Sequence, residues 1–249
     1  MTKPIAQGEP ASEPARPVAD TGGSRRTTAQ GRAFSPAELA FLIGVPLAWA
    51  VLLLFHPTGG GEAITYADVR DQVTAWLVVH LGMMLFIPLM AVAVYLLLRG
   101  IEGTAARVSR IALVPFVVFY GAYEVLLGIG TGILVDDVNG FASSERAAGA
   151  SLVNEFTDNI LIRGFSVLSS LGAVAFITAM IAAGVALRRH AAAPLSVPVL
   201  LGLSGALITA HPPPWGPIGL VLFIAAVLLF VRGQSEARAP APLGQPSPT

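Results

Sequence analysis

Four stretches of this chain, Leu39 to Phe55, Ala75 to Leu98, Ile111 to Val135 and Gly164 to Leu187, run almost without charge. A helix needs about 20 such residues to cross the ~30 Å hydrocarbon layer of a bilayer. Two shorter apolar stretches follow, Leu195 to Ala210 and Gly216 to Val231, parted by His211, Pro212, Pro213, Pro214 and Trp215. None shows the two-residue alternation of a barrel strand, and backbone in lipid must hydrogen-bond within itself. The pattern therefore predicts an all-α polytopic membrane bundle of about six transmembrane helices. Residues 195–231 read either as two full spans or as a re-entrant hairpin.

Local signals place the helix ends. Ser35, Pro36 and Glu38 form a capping serine, a first-turn proline and a carboxylate three residues after the cap. Thr65 and Asp68 repeat that pattern, and Tyr66, Val69, Val73 and Trp76 recur at helical spacing. These predict a second helix that begins outside the bilayer at Thr65, sets Trp76 at the interface and kinks at Pro88. The third span ends near Gly130 or runs to Val135, ahead of the acidic Asp136 and Asp137. Ala148, Leu152, Phe156 and Ile160 then recur at four-residue spacing, which predicts an amphipathic surface helix. Residues 1–34 and 233–249 are rich in Pro, Ala and small polar residues and read as disordered tails around a transmembrane domain over 35–232.

Composition narrows the class. Hydrophobic residues make up 54% of the chain and charged residues 12%, with a mean hydropathy of +0.72. That balance excludes an ordinary soluble domain. The chain has no cysteine, which removes disulfides, thiolate metal sites and thiol catalysis. The net charge is zero, but the charges are segregated. In a six-span topology Lys3, Arg16, Arg25, Arg26, Arg32, Arg99, Arg107, Arg110, Arg188, Arg189, Arg232 and Arg238 fall on one side, and only Arg70, Arg146 and Arg163 on the other. The positive-inside rule then puts both termini in the cytoplasm and turns residues 57–74, 136–162 and 211–215 outward. The expected setting is the bacterial cytoplasmic membrane, multi-pass, with the lipid bilayer as partner, no nucleic acid, and room for a membrane-protein partner or a homo-oligomer.

The outward side gathers the candidate chemistry. His56 and His211 each stand at the end of an apolar stretch before a proline, a faint internal echo, and His80 lies one turn beyond Trp76. Imidazoles on facing helices can ligate a metal or haem. The plainer reading of His56 and His211 is a polar helix end at the interface. Met83 and Met84 share the helix face of His80, a set that suits copper or haem iron, although methionine also fills gaps in packed helices. Glu124 is the one carboxylate embedded in a span, and Tyr120, Gly121, Gly128 and Thr131 give its helix face a small, polar character. A charge at that depth costs several kcal/mol in lipid, so Glu124 faces inward. It reads as an ion or proton site or a partner for His80, or else as a protonated carboxyl bonded to Ser169 or Ser170. The chain has no phosphate-binding loop, HExxH helix or nucleophile elbow, and no catalytic residue is assigned.

The run from Trp76 through His80 to Tyr95, Leu96, Leu97, Leu98, Arg99 and Gly100, with the later His211 to Pro217 segment, resembles small uncharacterised bacterial six-span membrane proteins. That resemblance implies topology and no activity. Three functions fit the residues: a structural, accessory or partner-binding membrane protein; a proton-coupled or small-solute carrier using Glu124; and a haem or copper protein using the outer histidines.

Overall fold

The computed structural model describes residues 33–57 and 64–238, with side chains through Glu236. Its helices are α1 (Pro36–Leu53), α2 (Tyr66–Val69), α3 (Val73–Leu97), α4 (Thr104–Asn139), α5 (Ser143–Thr157), α6 (Val167–His190), α7 (Ser196–Thr209) and α8 (Trp215–Arg238), and the described residues contain no strand. The fold is an all-α bundle. Five helices, α1, α3, α4, α6 and α8, are long and apolar enough to cross a membrane, and the chain is a helical membrane protein. With 14 residues, α7 is about 21 Å long and falls short of the ~30 Å hydrocarbon layer.

Contacts at the two ends of the bundle fix the direction of each helix. At one end Glu38 of α1 pairs with Arg99 beyond α3, Phe34 meets Phe230 of α8 edge to face, and Gln234 of α8 donates to the Ala191 carbonyl after α6. At the other end the residues that follow α1 and α7 meet the first turns of α3. Neighbours in sequence therefore alternate in direction. Between the ends, Trp49, Met83, Met90, Phe116, Phe176 and Phe223 are fully buried in one core.

The predicted cap of α1 is present: Glu38 N donates to Ser35 Oγ at 3.2 Å and Ser35 N to the Glu38 carboxylate at 2.8 Å. The second helix departs from expectation. Thr65 and Asp68 cap it (2.8 Å), but α2 ends at Val69 and α3 starts afresh at Val73. Side chains take up the carbonyls released by the break, Gln72 binding Asp68 O at 2.8 Å and Asn139 binding Arg70 O at 3.0 Å.

The third span proves longer than either predicted limit. At 36 residues, α4 runs about 54 Å, past Val135 and the exposed Asp136 and Asp137 to Asn139. Its last turns bury Val135 and Val138 against Tyr66, Val69, Trp76 and Val153, forming a small cap over that end of the bundle. Trp76 is thus buried in the cap, not set at an exposed interface. Within α4 the backbone widens twice into π-helical turns, Phe116–Tyr120 and Glu124–Gly130. Pro115 immediately precedes the first; it lacks an N–H, and its ring crowds the previous turn.

The amphipathic helix exists as α5, but it presents a different stripe. Gly149, Val153 and Thr157 face inward, while Ala148, Leu152 and Ile160 are exposed and Phe156 alone of the predicted stripe is half-buried, against Tyr123, Leu127 and Ile162. The reason is proximity: a Cβ on Gly149 would stand 3.0 Å from the Val138 methyls, so α5 can lie this close to α4 only along its small-residue face. The last span continues past Val231 to Arg238, so the first residues assigned to the C-terminal tail are helical. Of the predicted N-terminal tail residues 33 and 34 are described, and residues 1–32, 58–63 and 239–249 lie outside the described residues.

Candidate metal centre

Three chain segments end or turn at the capped end of the bundle, and each delivers one histidine. His56 sits in the last turn after α1, where its N–H bonds Leu53 O at 3.0 Å and Pro57 forbids further helix. His80 projects from α3, one turn below Trp76. His211 follows α7 at the start of the Pro212–Pro214 crossing. The two His-Pro pairs thus converge although a large part of the chain separates them. One ring nitrogen from each of His56, His80 and His211 lies within 4.8 Å of the other two, and all three residues are buried. Ring centroids are 5.0 Å apart for His56 and His80, 5.0 Å for His56 and His211, and 6.3 Å for His80 and His211.

Hydrogen bonds assign the tautomers. His56 Nδ1 stands 2.7 Å from Pro57 O and His80 Nδ1 2.7 Å from Trp76 O. A carbonyl only accepts, so both Nδ1 atoms carry the proton and both Nε2 atoms a free lone pair. Tyr120 Oη donates to Thr209 O at 3.0 Å and therefore accepts from His211 Nδ1, also at 3.0 Å. Each imidazole is thus oriented through Nδ1 by an oxygen, which is how metal-binding histidines are held. Burial holds His56 and His211 below the ordinary imidazole pKa, with the neighbouring imidazoles adding to the effect at His211. Both rings are therefore neutral, the form that ligates.

Glu124 completes the group. It is 1% exposed, its Oε2 lies 3.8 Å from His80 Nε2, and its Oε1 lies 3.7 Å from His211 Nδ1. Two buried acceptors here, His56 Nε2 and Glu124 Oε1, have no hydrogen-bond partner among the described residues. Leaving such a group unsatisfied costs about 1–3 kcal/mol. A cation among the four side chains would satisfy both at once. In tetrahedral zinc, Zn–N bonds of about 2.0–2.1 Å set the nitrogens about 3.4 Å apart, so closing this cluster takes shifts of about an ångström.

Local backbone makes room for the group. The second π turn starts at Glu124, and π turns within α-helices often mark functional positions. Trp76 Nε1 donates to Gly128 O at 2.6 Å, tying α3 to that turn. Gly128 packs directly on the His80 ring, where a Cβ would overlap Cδ2, and Gly172 of α6 lies against the Tyr120 backbone. Ser169, one sequence candidate for a Glu124 partner, instead bonds Gly164 O at 2.8 Å and caps α6 with Ser166.

The sequence candidates separate cleanly. His56, His80, His211 and Glu124 come together, whereas Met83 is fully buried in the apolar core and neither Met83 nor Met84 lines the cavity beside the histidines. The sequence reading passed over Tyr120 as a ligand-orienting group. Its position one turn before Glu124, on the same helix face, was the available signal. A cavity of about 570 Å³ opens on the cluster, lined by the three histidines, Tyr120 and Glu124 and also by the apolar Leu127, Ala173, Val174 and Ala206. No protein-family model matches the chain, and no curated protein or solved structure matches it either.

Proposed function

We propose that this protein holds a divalent transition-metal ion, with zinc the best fit, on His56, His80 and His211, with Glu124 beside the ion and the cavity supplying an open coordination position. The observation that carries this reading is the convergence of three buried imidazoles, each fixed through Nδ1 by an oxygen, on one carboxylate with an unpartnered oxygen. A nitrogen and oxygen donor set without sulfur suits zinc or another borderline divalent ion. Methionine sulfur, the feature that favoured Cu(I), does not line the cavity beside the cluster, and Met83 is buried in the apolar core. Haem fits less well, because the three rings crowd one point and leave no slot for a macrocycle between them. An ion held there would supply Lewis acidity at the cavity, and Glu124 would be the adjacent proton acceptor.

The same reading puts the chain in the bacterial cytoplasmic membrane with its arginine-rich end inward and the metal centre toward the outer face. The short α7 then reaches only partway across the bilayer from the inner side, or locally thins it.

The test is a titration of detergent-purified, chelator-stripped protein with Zn²⁺ and, for its visible spectrum, Co²⁺. The expected result is one ion per chain at micromolar affinity or tighter, with a tetrahedral Co²⁺ spectrum, lost in His80→Ala and in His211→Ala. Folded wild-type protein that takes up neither ion sinks the proposal. Proton movement through Glu124 is the second reading, favoured by the same unpartnered carboxyl oxygen. It predicts that Glu124→Gln abolishes proton uptake by proteoliposomes in metal-free protein.

A further inference from the structure

The cavity has an unusual mouth. Its polar end is the metal centre, but its far wall is built from residues on the outward faces of two helices, Val174 of α6 and Ala206 of α7, both exposed. Val174 lies two turns into α6, about 10 Å beyond the helix start at Val167. The opening therefore lies in the side of the bundle, within the apolar band formed by exposed Leu171, Val174, Ile181 and Val125, and not only at its capped end. Phe165 also lines the cavity and is 97% exposed, and beside it Ile160 and Leu161 are exposed where their carbonyls accept from Val167 and Leu168 at the start of α6. Exposed apolar side chains around a mouth are costly in water and favourable in lipid. A volume of about 570 Å³ falls within the roughly 300–1,000 Å³ of small-molecule sites.

We infer that the cavity takes a single-chain amphiphile from the outer leaflet of the bilayer, with its oxygen-bearing headgroup at the histidine and Glu124 cluster and its alkyl chain leaving between α6 and α7 past Leu127, Ala173, Val174 and Ala206. The lining carries both characters that occupant needs: the three imidazoles, Tyr120 and Glu124 are buried, whereas the exposed lining residues Phe165, Val174, Ala206 and Ala210 are apolar and only Ser170 among the exposed side chains there is polar. A small hydrophilic solute would leave the apolar wall wet, and a volume of about 570 Å³ suits one alkyl chain rather than two. The headgroup assignment rests on the metal reading; the chain assignment rests on the cavity alone.

The experiment uses full-length protein in lipid nanodiscs, zinc-loaded and zinc-free, and palmitic acid carrying a mid-chain diazirine. Illumination followed by peptide mass spectrometry is expected to place cross-links on Leu127, Ala173, Val174 and Ala206 above those on lipid-facing Leu47 and Val51 of α1. Excess palmitate should compete them away and acetate should not. Ala173→Trp, which fills the mouth, should reduce the cavity cross-links at least tenfold while zinc content stays at the wild-type level; Ala206→Phe provides a second plug should the first variant misfold. Cross-links spread evenly over all lipid-facing helices, or cavity labelling unchanged in both folded plug variants, overturn the inference and leave the metal site standing. Competed cavity labelling in protein that binds no zinc supports the amphiphile and removes the metal.

Discussion

Replacing Gly128 by alanine tests the packing that builds the centre. A Cβ at this position would overlap His80 Cδ2 and stand 2.5 Å from Cγ and 2.9 Å from Cβ of the same side chain. Carbon atoms in contact settle at about 3.5–4.0 Å, so the imidazole or the π turn must retreat by about an ångström. His80 has little freedom to do so, because Nδ1 is held at 2.7 Å by Trp76 O and Trp76 is itself fastened to Gly128 O. Overpacking of this kind costs about 1–3 kcal/mol. If that cost falls on the ligand geometry, zinc binding weakens about 5- to 150-fold. Gly121→Ala is the matched control, because Gly121 is also buried in α4 yet nothing lies within 4 Å of its added Cβ. It should leave zinc affinity unchanged and, by helix propensity, stabilise by about 0.5–1 kcal/mol. Calorimetric Zn²⁺ titration of the two variants beside wild type decides the matter. Equal affinities in wild type and Gly128→Ala, with both proteins folded, would refute the argument that Gly128 seats His80.

Tyr120→Phe removes the oxygen that orients His211 and should weaken zinc binding about 10- to 100-fold, the usual effect of losing an outer-shell partner, while the helix content by circular dichroism stays constant. On α5, Val153→Asp should destabilise the protein by several kcal/mol through an unpaired charge in the cap, whereas Leu152→Asp, on the exposed side, should change the melting temperature little; the reverse order would show that the helix packs by its other face. The metal-free protein should also lose stability as pH falls. His56 and His211 are held below their ordinary pKa of 6.5 by burial, so below pH 6.5 the unfolded chain binds more protons than the folded one and melting temperature drops, with a plateau above. A melting temperature that rises toward acid would contradict the neutral assignment.

Much of the frame was legible in the chain because lipid imposes a length and an apolar run on every crossing, and because caps such as Ser35 with Glu38 are local. The inward direction of Glu124 followed from the cost of a carboxylate in lipid, and Tyr120, Gly121, Gly128 and Thr131 are all buried with it. The break between α2 and α3 escaped because side chains distant in sequence, such as Asn139, compensate it. The face of α5 was misjudged for a related reason: large apolar residues marked a stripe, but close approach to Val138 selected Gly149 instead. The centre itself was readable only as separate histidines. Their spacing in sequence carries no ligand motif, since α1, α3 and α7 each bring one, and only packing shows that they share a point.

That scattered origin has a consequence for biogenesis. His56 leaves the ribosome well before His211, which precedes α8. A chain still being inserted, or truncated before α7, holds at most two of the three imidazoles and presents an unfinished polar pocket to lipid. An ion bound there would join the end of α1 to the link between α7 and α8, and so fasten the first described helix to the last described one. If the proposed ion binds, its occupancy would double as a mark of completed assembly, and starvation for the ion should show first as proteolysis of newly made chains while mature protein persists.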